Sequence, residues 1–390
     1  MNPIYRDMPT TIFEAMSMRA RASGAINLGQ GFPDGPRNDA VIQAACEALQ
    51  HRSNQYPPMV GLPELRTAVS DWYRRHQQLD LDSDEVVVTS GATEAIAAAL
   101  FALITPGDEV LLFQPLYDAY LPLVQRAGGM ARLVDLDPSS WRIDAQALAA
   151  AVTPRTRIVV LNDPMNPMAT CAHPDDLAMV ASLCTDNDLI AICDEVWEAL
   201  VYDGARHRSL MQYPGMRERT VKIGSAGKIF GLTGWKVGWM CAAPPIARVL
   251  AKAHQFLTFT TPPNLQWAVA EGLDSQDAWI AMACDHHQAS RDFFCAGLRE
   301  IGLATVPSAA TYFVSVDLTA SGIVMDDAAF CHAIIDQAKV AAIPISAFYA
   351  EAPPTHLVRF CFAKDRATLA TALDRLAEAL AGLASVPSRG

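Results

Sequence analysis

The sequence predicts an α/β fold: a mostly parallel sheet covered by helices on both faces, followed by a smaller unit with a different pattern of helices and strands. Short, continuously apolar segments alternate with helical segments through the middle of the chain, which is typical of a buried parallel sheet. After about residue 280 the predicted strands alternate partly between apolar and polar residues, as half-buried strands do. A length of 390 residues, 51% of them hydrophobic, is enough for two or three domains.

The predicted strands of the first unit cover residues 85–89, 109–113, 157–161 and 189–193. Gly91 and an alanine-rich helix over residues 93–103 follow the first strand, and the last two strands end at Asn162 and Asp194. In α/β proteins the carboxyl ends of the strands are where ligand sites are built. We therefore expect a binding site at this edge of the sheet.

The second unit is predicted to begin with a long helix over residues 285–302, which could bridge two domains. Strands are predicted over residues 311–316 and 357–362, and a final amphipathic helix over residues 366–383. The tail after Leu383 contains Ser, Pro and Gly and is expected to be frayed.

Composition argues against several classes of protein. A net charge of -12 argues against nonspecific nucleic-acid binding, and no apolar run reaches the length of a membrane span or forms a signal peptide. Nine cysteines without a Cys-x-x-Cys pair indicate reduced thiols, as in a cytosolic protein. The histidines lack zinc spacing, so we expect no metal site and place the adjacent His286 and His287 on a helix surface.

Lys228 lies in an apolar, glycine-rich segment, with Ser225 three residues before it and Lys236 eight residues after it. Low polarity and a nearby cation lower the pKa of a lysine, so that its free amine can form a Schiff base. A hydroxyl and a second cation are groups that a phosphate requires. The segment therefore suggests pyridoxal phosphate; the alternative is a surface lysine in a glycine-rich loop.

Two further candidates could serve the phosphate and the ring of such a cofactor. Gly91, Ala92 and Thr93 form a strand-to-helix turn, where free N–H groups favour a phosphate, although many such turns bind nothing. Tyr117 follows a strand and could stack on a flat ring, or could be a core tyrosine.

Three other polar residues have both a functional and a structural interpretation. Asn166 could donate to a ligand oxygen or form an Asn-Pro turn, and Asp194 could keep a pyridine nitrogen protonated or cap a helix. Arg359, within an apolar strand, could bind a carboxylate with both nitrogens or lie on an edge strand. Tyr56 is ambiguous by itself.

The order of the motifs is more specific than any one of them, and the chain resembles the fold-type I, class I/II pyridoxal-phosphate-dependent aminotransferases. The resemblance is strongest to the kynurenine, glutamine and methionine aminotransferase group. The motifs span nearly the whole chain: Asn27-Leu28-Gly29-Gln30-Gly31-Phe32-Pro33-Asp34, Asn54-Gln55-Tyr56, Gly91-Ala92-Thr93-Glu94, Asn166-Pro167, Asp194-Glu195-Val196, Ser225-Ala226-Gly227-Lys228, Gly234-Trp235-Lys236-Val237-Gly238-Trp239 and Arg359-Phe360-Cys361-Phe362.

The resemblance implies a fold with a large domain over residues 41–280 and a small α+β domain over residues 1–40 and 281–390. It implies that Lys228 carries the Schiff base and moves the proton, that Asp194 pairs with the pyridine nitrogen, and that Asn166 donates to the ring oxygen. Tyr117 would stack on the ring, and Arg359 with the Gly31 backbone would hold the substrate carboxylate. The phosphate would be held by Gly91, Ala92, Thr93, Ser225 and Lys236. Tyr56 would reach the phosphate of the neighbouring subunit, which implies a homodimer.

Three positions depart from the pattern of the family. Trp197 stands where the family usually has a tyrosine that bonds the ring oxygen, and indole is larger and only a donor. Met168 and Ala169 replace the Thr-Gly of an Asn-Pro-Thr-Gly turn, and Ile229 follows the lysine where a small residue is usual. These changes suggest an unusual substrate or a slower enzyme.

We therefore expect a cytoplasmic transaminase that moves an amino group from an amino acid to a 2-oxo acid by a ping-pong mechanism. Methionine, glutamine, aromatic and kynurenine-type donors are all possible; Phe348 and Tyr349 favour an apolar or sulfur-containing side chain. A carbon–sulfur β-lyase on the same fold is the main alternative, and a non-enzymatic pyridoxal-phosphate-binding regulator is a second.

Overall fold

The computed structural model describes residues 1–6 and 8–384, with side chains to residue 382. The expectation of a frayed tail concerns residues 385–390 and lies outside the described residues. None of the described helices is long and apolar enough to cross a membrane.

The described helices and strands alternate through most of the chain. The helices are α1 (Pro3–Arg6), α2 (Ile12–Ser23), α3 (Asp39–His51), α4 (Pro63–Gln77), α5 (Ala92–Leu103), α6 (Tyr120–Arg126), α7 (Ala145–Ala151), α8 (Pro174–Asp186), α9 (Ala226–Ile229), α10 (Pro244–Leu257), α11 (Pro263–Ser275), α12 (Asp277–Glu300), α13 (Asp327–Gln337) and α14 (Arg366–Ala384). The strands are β1 (Ile26–Asn27), β2 (Val86–Thr89), β3 (Glu109–Gln114), β4 (Met130–Asp135), β5 (Thr156–Asn162), β6 (Ile190–Asp194), β7 (Thr220–Ser225), β8 (Gly238–Cys241), β9 (Ala304–Thr305), β10 (Phe313–Asp317), β11 (Val340–Ala341), β12 (Ile343–Pro344) and β13 (Leu357–Cys361).

A central sheet in the order β2-β8-β7-β6-β5-β3-β4 organises the first unit. All neighbouring pairs are parallel except those of β8, which is antiparallel to both β2 and β7. The inner strands are almost fully buried because helices cover the sheet, which explains their continuously apolar sequences. The predicted α/β class with a mixed, mostly parallel sheet is confirmed.

Sequence patterns did not identify β4, β7 and β8. Strand β4 lies at the sheet edge and is largely exposed, while β8 has only four residues. Strand β7 is fully buried but contains Lys222 and Gly224, which break its apolar pattern. The predicted long helix does exist as α12 but begins at Asp277. On this helix His286 is exposed, whereas His287 is buried against Tyr312. The predicted surface position is therefore confirmed for His286 and wrong for His287.

The second unit contains an antiparallel sheet in the order β12-β13-β10-β9. The N-terminal segment joins it, because β1 pairs in parallel with β11 and the amide of Cys361 donates to the carbonyl of Leu28. This pairing places the N-terminal segment against the second unit, while the assignment of residues 1–40 and 281–390 to one small domain stays a prediction. The exact boundaries at residues 40 and 280 stay a prediction, and α12 crosses the second of them.

The ends of the strands explain where a site can form. The carboxyl ends of β2, β5, β6 and β7 lie at one edge of the central sheet, with Asn162 paired to Asp194 across β5 and β6. Because β8 runs the other way, its first residue, Gly238, lies at this same edge, opposite Thr89 and Ser225. The segment before Gly238, which contains Lys236, is thereby brought to the strand ends.

Gly238 is required for this close approach, and Gly238→Ala is expected to destabilise the fold. A Cβ there would lie 2.8 Å from the carbonyl carbon of Gly91 and 3.0 Å from the carbonyl oxygen of Gly224, both backbone atoms. We expect a loss of about 1–3 kcal/mol in the free energy of unfolding, measured by urea denaturation. Gly234→Ala is the control, because a Cβ there meets nothing within 4 Å, and we expect a change below about 1 kcal/mol. Equal stabilities of the two variants would contradict this account of the β2–β8–β7 contact.

Candidate active site

A cavity of about 320 Å³ lies at the carboxyl edge of the central sheet, within the size range of small-molecule sites. It brings together most of the residues that the sequence selected as candidates. Those that line it are Gly91, Ala92, Thr93, Tyr117, Asn166, Asp194, Trp197, Ser225, Lys228 and Lys236. They come from turns that are far apart in sequence, and the parallel sheet places these turns side by side.

Lys228 projects from α9, directly after β7, into this cavity. Its Nζ donates to the hydroxyl of Tyr312 at 3.3 Å and lies 4.5 Å from the centre of the Trp197 ring. Burial lowers the pKa of Lys228 to about 8, although the charge of Asp194 opposes this shift. The lowered pKa raises the fraction of Lys228 that is a free amine near neutral pH, as a nucleophile or base requires.

Asp194 ends β6 and is 5% exposed. Its Oδ2 accepts a hydrogen bond of 2.6 Å from the hydroxyl of Tyr120, while its Oδ1 is buried and has no partner among the described residues. Burial raises the pKa of Asp194 to about 6, and the Tyr120 hydrogen bond acts in the opposite direction. A buried carboxylate oxygen without a partner favours a cation or a protonated nitrogen facing it in the cavity.

At another wall of the cavity, backbone and cation form a cradle for an anion. Gly91 has a φ of 78°, a conformation that favours glycine, and it directly precedes α5. A Cβ on Gly91 would lie 3.3 Å from Nζ of Lys236, so a side chain there would push this ammonium away from the start of the helix. Free N–H groups at a helix start, the Ser225 hydroxyl and the Lys236 cation together suit a phosphate.

Arg359 is buried in β13 rather than on an edge strand. Its Nη1 donates to Oδ1 of Asn166 at 2.5 Å and its Nη2 to the carbonyl of Gly29 at 2.8 Å, while its Nε has no partner among the described residues. Burial lowers the pKa of Arg359 to about 10. A desolvated guanidinium of this kind binds a carboxylate strongly.

Aromatic rings surround this guanidinium. The centre of the Phe313 ring lies 3.9 Å from Cζ of Arg359, and those of Phe348 and Phe13 lie at 5.1 and 5.4 Å. Gly31 packs nearby with little space: a Cβ there would lie 2.8 Å from Tyr312, whose hydroxyl donates to the Gly31 carbonyl. The predicted carboxylate site thus has an apolar wall.

The positions that depart from the family pattern are accommodated without loss of the cavity. Trp197 is 3% exposed and packs edge-on against Tyr312, with ring centres 4.4 Å apart. Ala169 adopts a φ of 60°, so the turn keeps a left-handed residue even without glycine. Ile229 is buried away from this cavity, among the residues that pack with Phe230.

Several residues of the site were not selected from the sequence, and three of them are polar or aromatic residues at the chemical groups: Tyr120, Tyr312 and Phe32. Tyr120 and Tyr312 bond Asp194 and Lys228, from which they are 74 and 84 positions distant, and Phe32 lines the cavity. Tyr120 lies three positions after Tyr117, at the start of α6, but its bond to Asp194 and the contact of Tyr312 with Lys228 depend on the tertiary fold.

Tyr56 does not line the cavity of its own chain. Its side chain is 82% exposed, and its ring contacts that of Phe259, with centres 5.4 Å apart. Its assignment to the phosphate of a neighbouring subunit stays a prediction.

The family model for aminotransferases of class I and II matches residues 23–376 of this chain. The chain belongs to the class I and II aminotransferases. It is 44% identical to a probable N-succinyldiaminopimelate aminotransferase of Mycobacterium tuberculosis, over 95% of this chain and 96% of that protein. It is 40% identical to the methionine aminotransferase of Escherichia coli, over 94% of this chain and 95% of that protein. The solved structure of the mycobacterial N-succinyldiaminopimelate aminotransferase covers 97% of this chain and all of its own, with a TM-score of 0.93.

Aminotransferases of this family and fold type use pyridoxal 5′-phosphate, and the cavity fits that cofactor. The unpartnered Oδ1 of Asp194 suits a protonated ring nitrogen, the cradle at Gly91 and Lys236 suits the phosphate, and Lys228 supplies the amine. The family activity, transfer of an amino group between an amino acid and a 2-oxo acid, favours transamination over the β-lyase alternative.

Tyr120→Phe is expected to weaken cofactor binding, because it removes the hydrogen bond that holds Asp194 ionised. A bond to a charged group contributes about 1.5–3 kcal/mol, so the dissociation constant of pyridoxal phosphate should rise by at least about tenfold. Titration of the cofactor-free aminotransferase, followed by absorbance, measures it. Tyr213→Phe is the control, because that hydroxyl bonds the Pro174 carbonyl far from the site. Wild-type affinity in Tyr120→Phe would show that Asp194 does not depend on this bond.

Trp197 sets a second expectation, for the pKa at which the visible band of the cofactor-loaded enzyme titrates. The indole presents its ring to Lys228, and its N–H makes no hydrogen bond within the described residues. A phenol donating to the cofactor's ring oxygen would favour the unprotonated form and lower this pKa. We therefore expect a lower pKa in Trp197→Tyr than in the native enzyme, measured by spectrophotometric pH titration. Equal or reversed values would count against this interpretation.

Proposed function

We propose that this aminotransferase takes its amino group from an amino acid with an apolar or sulfur-containing side chain, such as methionine, or with an aromatic one. The observation that carries the proposal is one cavity bounded by Lys228 and Asp194, with Arg359 behind it in a cage of phenylalanines. The groups proposed to react with the amino acid therefore lie next to the arginine proposed to bind its carboxylate, and the surroundings of that arginine are apolar.

Each of the central residues has a separate proposed role in the reaction. When bound, pyridoxal phosphate supplies a carbonyl that takes up the amino group and a ring that acts as an electron sink. Lys228 would hold the cofactor and then carry a proton on Nζ between the two carbons that exchange it. Asp194 would keep the ring nitrogen protonated, and Arg359 would bind the substrate carboxylate and so orient the Cα–H bond.

Asn166 connects the two halves of the site. Its side-chain oxygen accepts from Arg359, which leaves its amide N–H₂ free to face the ring oxygen of the cofactor. Tyr117 would stack on the ring. Trp197 and Tyr312 surround Nζ of Lys228 with aromatic surface, which excludes water from the amine between steps.

The charges that line the cavity favour a donor without a distal carboxylate. Its lining cations, within the described residues, are Lys228 and Lys236, and both have roles toward the cofactor. Phe32, which is half exposed, also lines it, and Phe13 and Phe348 lie beside Arg359. An apolar side chain can bury surface there, whereas a second carboxylate would lose water without gaining a cation.

Exposed aromatic residues support assembly as a homodimer. Phe256 is 86% exposed at the end of α10, close in sequence to the Phe259 that Tyr56 contacts. Such side chains at one surface are typical of an interface. We propose that a second copy covers them and that Tyr56 then contributes to the partner's phosphate site. The nine free cysteines support a reducing, cytoplasmic location.

Lys228→Ala is expected to abolish transamination, because Lys236, the other lysine that lines the described cavity, is assigned to the phosphate. Lys339→Gln, at an exposed lysine between α13 and β11, should retain it. Turnover with methionine and a 2-oxo acid, followed by release of the new oxo acid, measures both. Transamination by Lys228→Ala at near the native rate would remove Lys228 from its proposed role. Release of ammonia and pyruvate from cystathionine in place of transfer would instead indicate a β-lyase.

Donor choice is the second test. We expect kcat/KM for methionine or phenylalanine to exceed that for N-succinyldiaminopimelate by on the order of 10²-fold, because the distal carboxylates of the latter would lie unpaired. Comparable values for both donors would show that a cation outside the described cavity wall, for example from a partner subunit, recognises the distal carboxylate.

A further inference from the structure

A buried cluster of charged side chains lies beneath the active site and does not line its cavity. At its centre the side chain of Lys222 is 0% exposed, and its Nζ donates to carboxylates of Glu195 and Glu198, which are 2% and 0% exposed. His207 lies 2.7 Å from Glu195 by its Nε2 and 3.5 Å from Asp163 by its Nδ1. The chemistry described above uses none of these groups.

Neutral donors complete the cluster, so its carboxylates are well satisfied. Tyr73 donates to Oε1 of Glu198 at 2.9 Å, Gln77 to its Oε2 at 2.7 Å, and Ser209 to Oε1 of Glu195 at 2.8 Å. The Tyr73 ring also faces the ammonium of Lys222, at 4.6 Å. A lysine held in this way has one geometry and therefore determines the separation of the two glutamates.

The cluster joins the three segments that carry the predicted catalytic groups. Glu195 and Glu198 belong to the turn that follows Asp194 and contains Trp197. Lys222 lies in β7, six residues before Lys228. Asp163, which faces His207, begins the turn that leads to Asn166, and its amide donates to the Asp194 carbonyl.

The positive charge of Lys222 stabilises the ionised carboxylates beside it. Burial alone would raise the pKa of Glu195, but the positive charges of Lys222 and His207 outweigh burial and lower this pKa to about 2. Without the ammonium, Glu195 and Glu198 would repel each other across a site that excludes water. The turn after Asp194 would then have to open or take up a proton.

We propose that Lys222 is a positioning residue of the active site: its ammonium ties the turn after Asp194 to strand β7 and so sets the distance between Asp194 and Lys228. The proposal rests on the roles proposed for those two residues. It concerns the geometry of the cofactor site rather than the stability of the whole fold. A variant that loses the ammonium together with one carboxylate charge distinguishes an effect on the site from an effect on stability.

The test compares Lys222→Met, Glu198→Gln and the double variant Lys222→Met with Glu198→Gln. The single Lys222→Met variant leaves two carboxylates facing each other, with only His207 beside Glu195 as a remaining positive charge, and should lower the melting temperature. The double variant removes one carboxylate charge together with the ammonium and keeps an amide that Tyr73 and Gln77 can bond. Glu198→Gln alone keeps the tie between Lys222 and Glu195 and is the matched control.

We expect the double variant to regain most of the melting temperature that Lys222→Met loses. It should nevertheless bind pyridoxal phosphate about tenfold more weakly, and its kcat should fall while its KM for methionine changes little. The readouts are thermal unfolding of the cofactor-free proteins, cofactor titration and steady-state kinetics. A stable double variant with native cofactor affinity and kcat would overturn the proposal, because Lys222 would then only balance charge. Failure of the native protein to bind pyridoxal phosphate would instead contradict the proposed function.

Discussion

The rest of the site depends on the burial of one carboxylate. Asp194 ends a strand in the middle of the sheet, accepts a hydrogen bond from the Tyr120 hydroxyl, and has an oxygen with no partner among the described residues. Its pKa is raised to about 6 because burial destabilises the ionised form of the carboxylate. A protonated ring nitrogen facing that oxygen would stabilise the ionised carboxylate, which burial alone disfavours.

The same desolvation acts in the opposite sense on the lysine. Burial lowers the pKa of Lys228 to about 8, and the aromatic rings of Trp197 and Tyr312 enclose its amine. One environment thus destabilises both charges, which favours their use in chemistry over a simple ion pair. Beneath them the ion-paired cluster around Lys222 stabilises its charges by mutual contact. The reacting groups and the supporting charges therefore lie in two separate layers.

The parts of the fold that follow from local patterns could be predicted from the sequence. Gly91, Asn162 and Asp194 stand at ends of apolar strands, so their meeting at one edge followed from the parallel sheet. Strands β7 and β8 escaped prediction because buried Lys222 and short, glycine-containing segments look polar or irregular. Tyr120, Tyr312 and the partners of Lys222 are brought in by the tertiary fold, and no spacing in the sequence reveals such contacts. The role of Tyr56 needs a second chain and stays a prediction.

The visible absorption spectrum of the purified protein with pyridoxal phosphate, recorded before and after methionine is added, tests the central claim most directly. We expect a visible band that methionine bleaches, because Lys228 is proposed to hold the cofactor and to release it to an apolar amino acid. A protein that stays colourless after incubation with the cofactor would contradict the assignment of the cavity. A band that neither methionine nor an aromatic amino acid changes would contradict the proposed donor class.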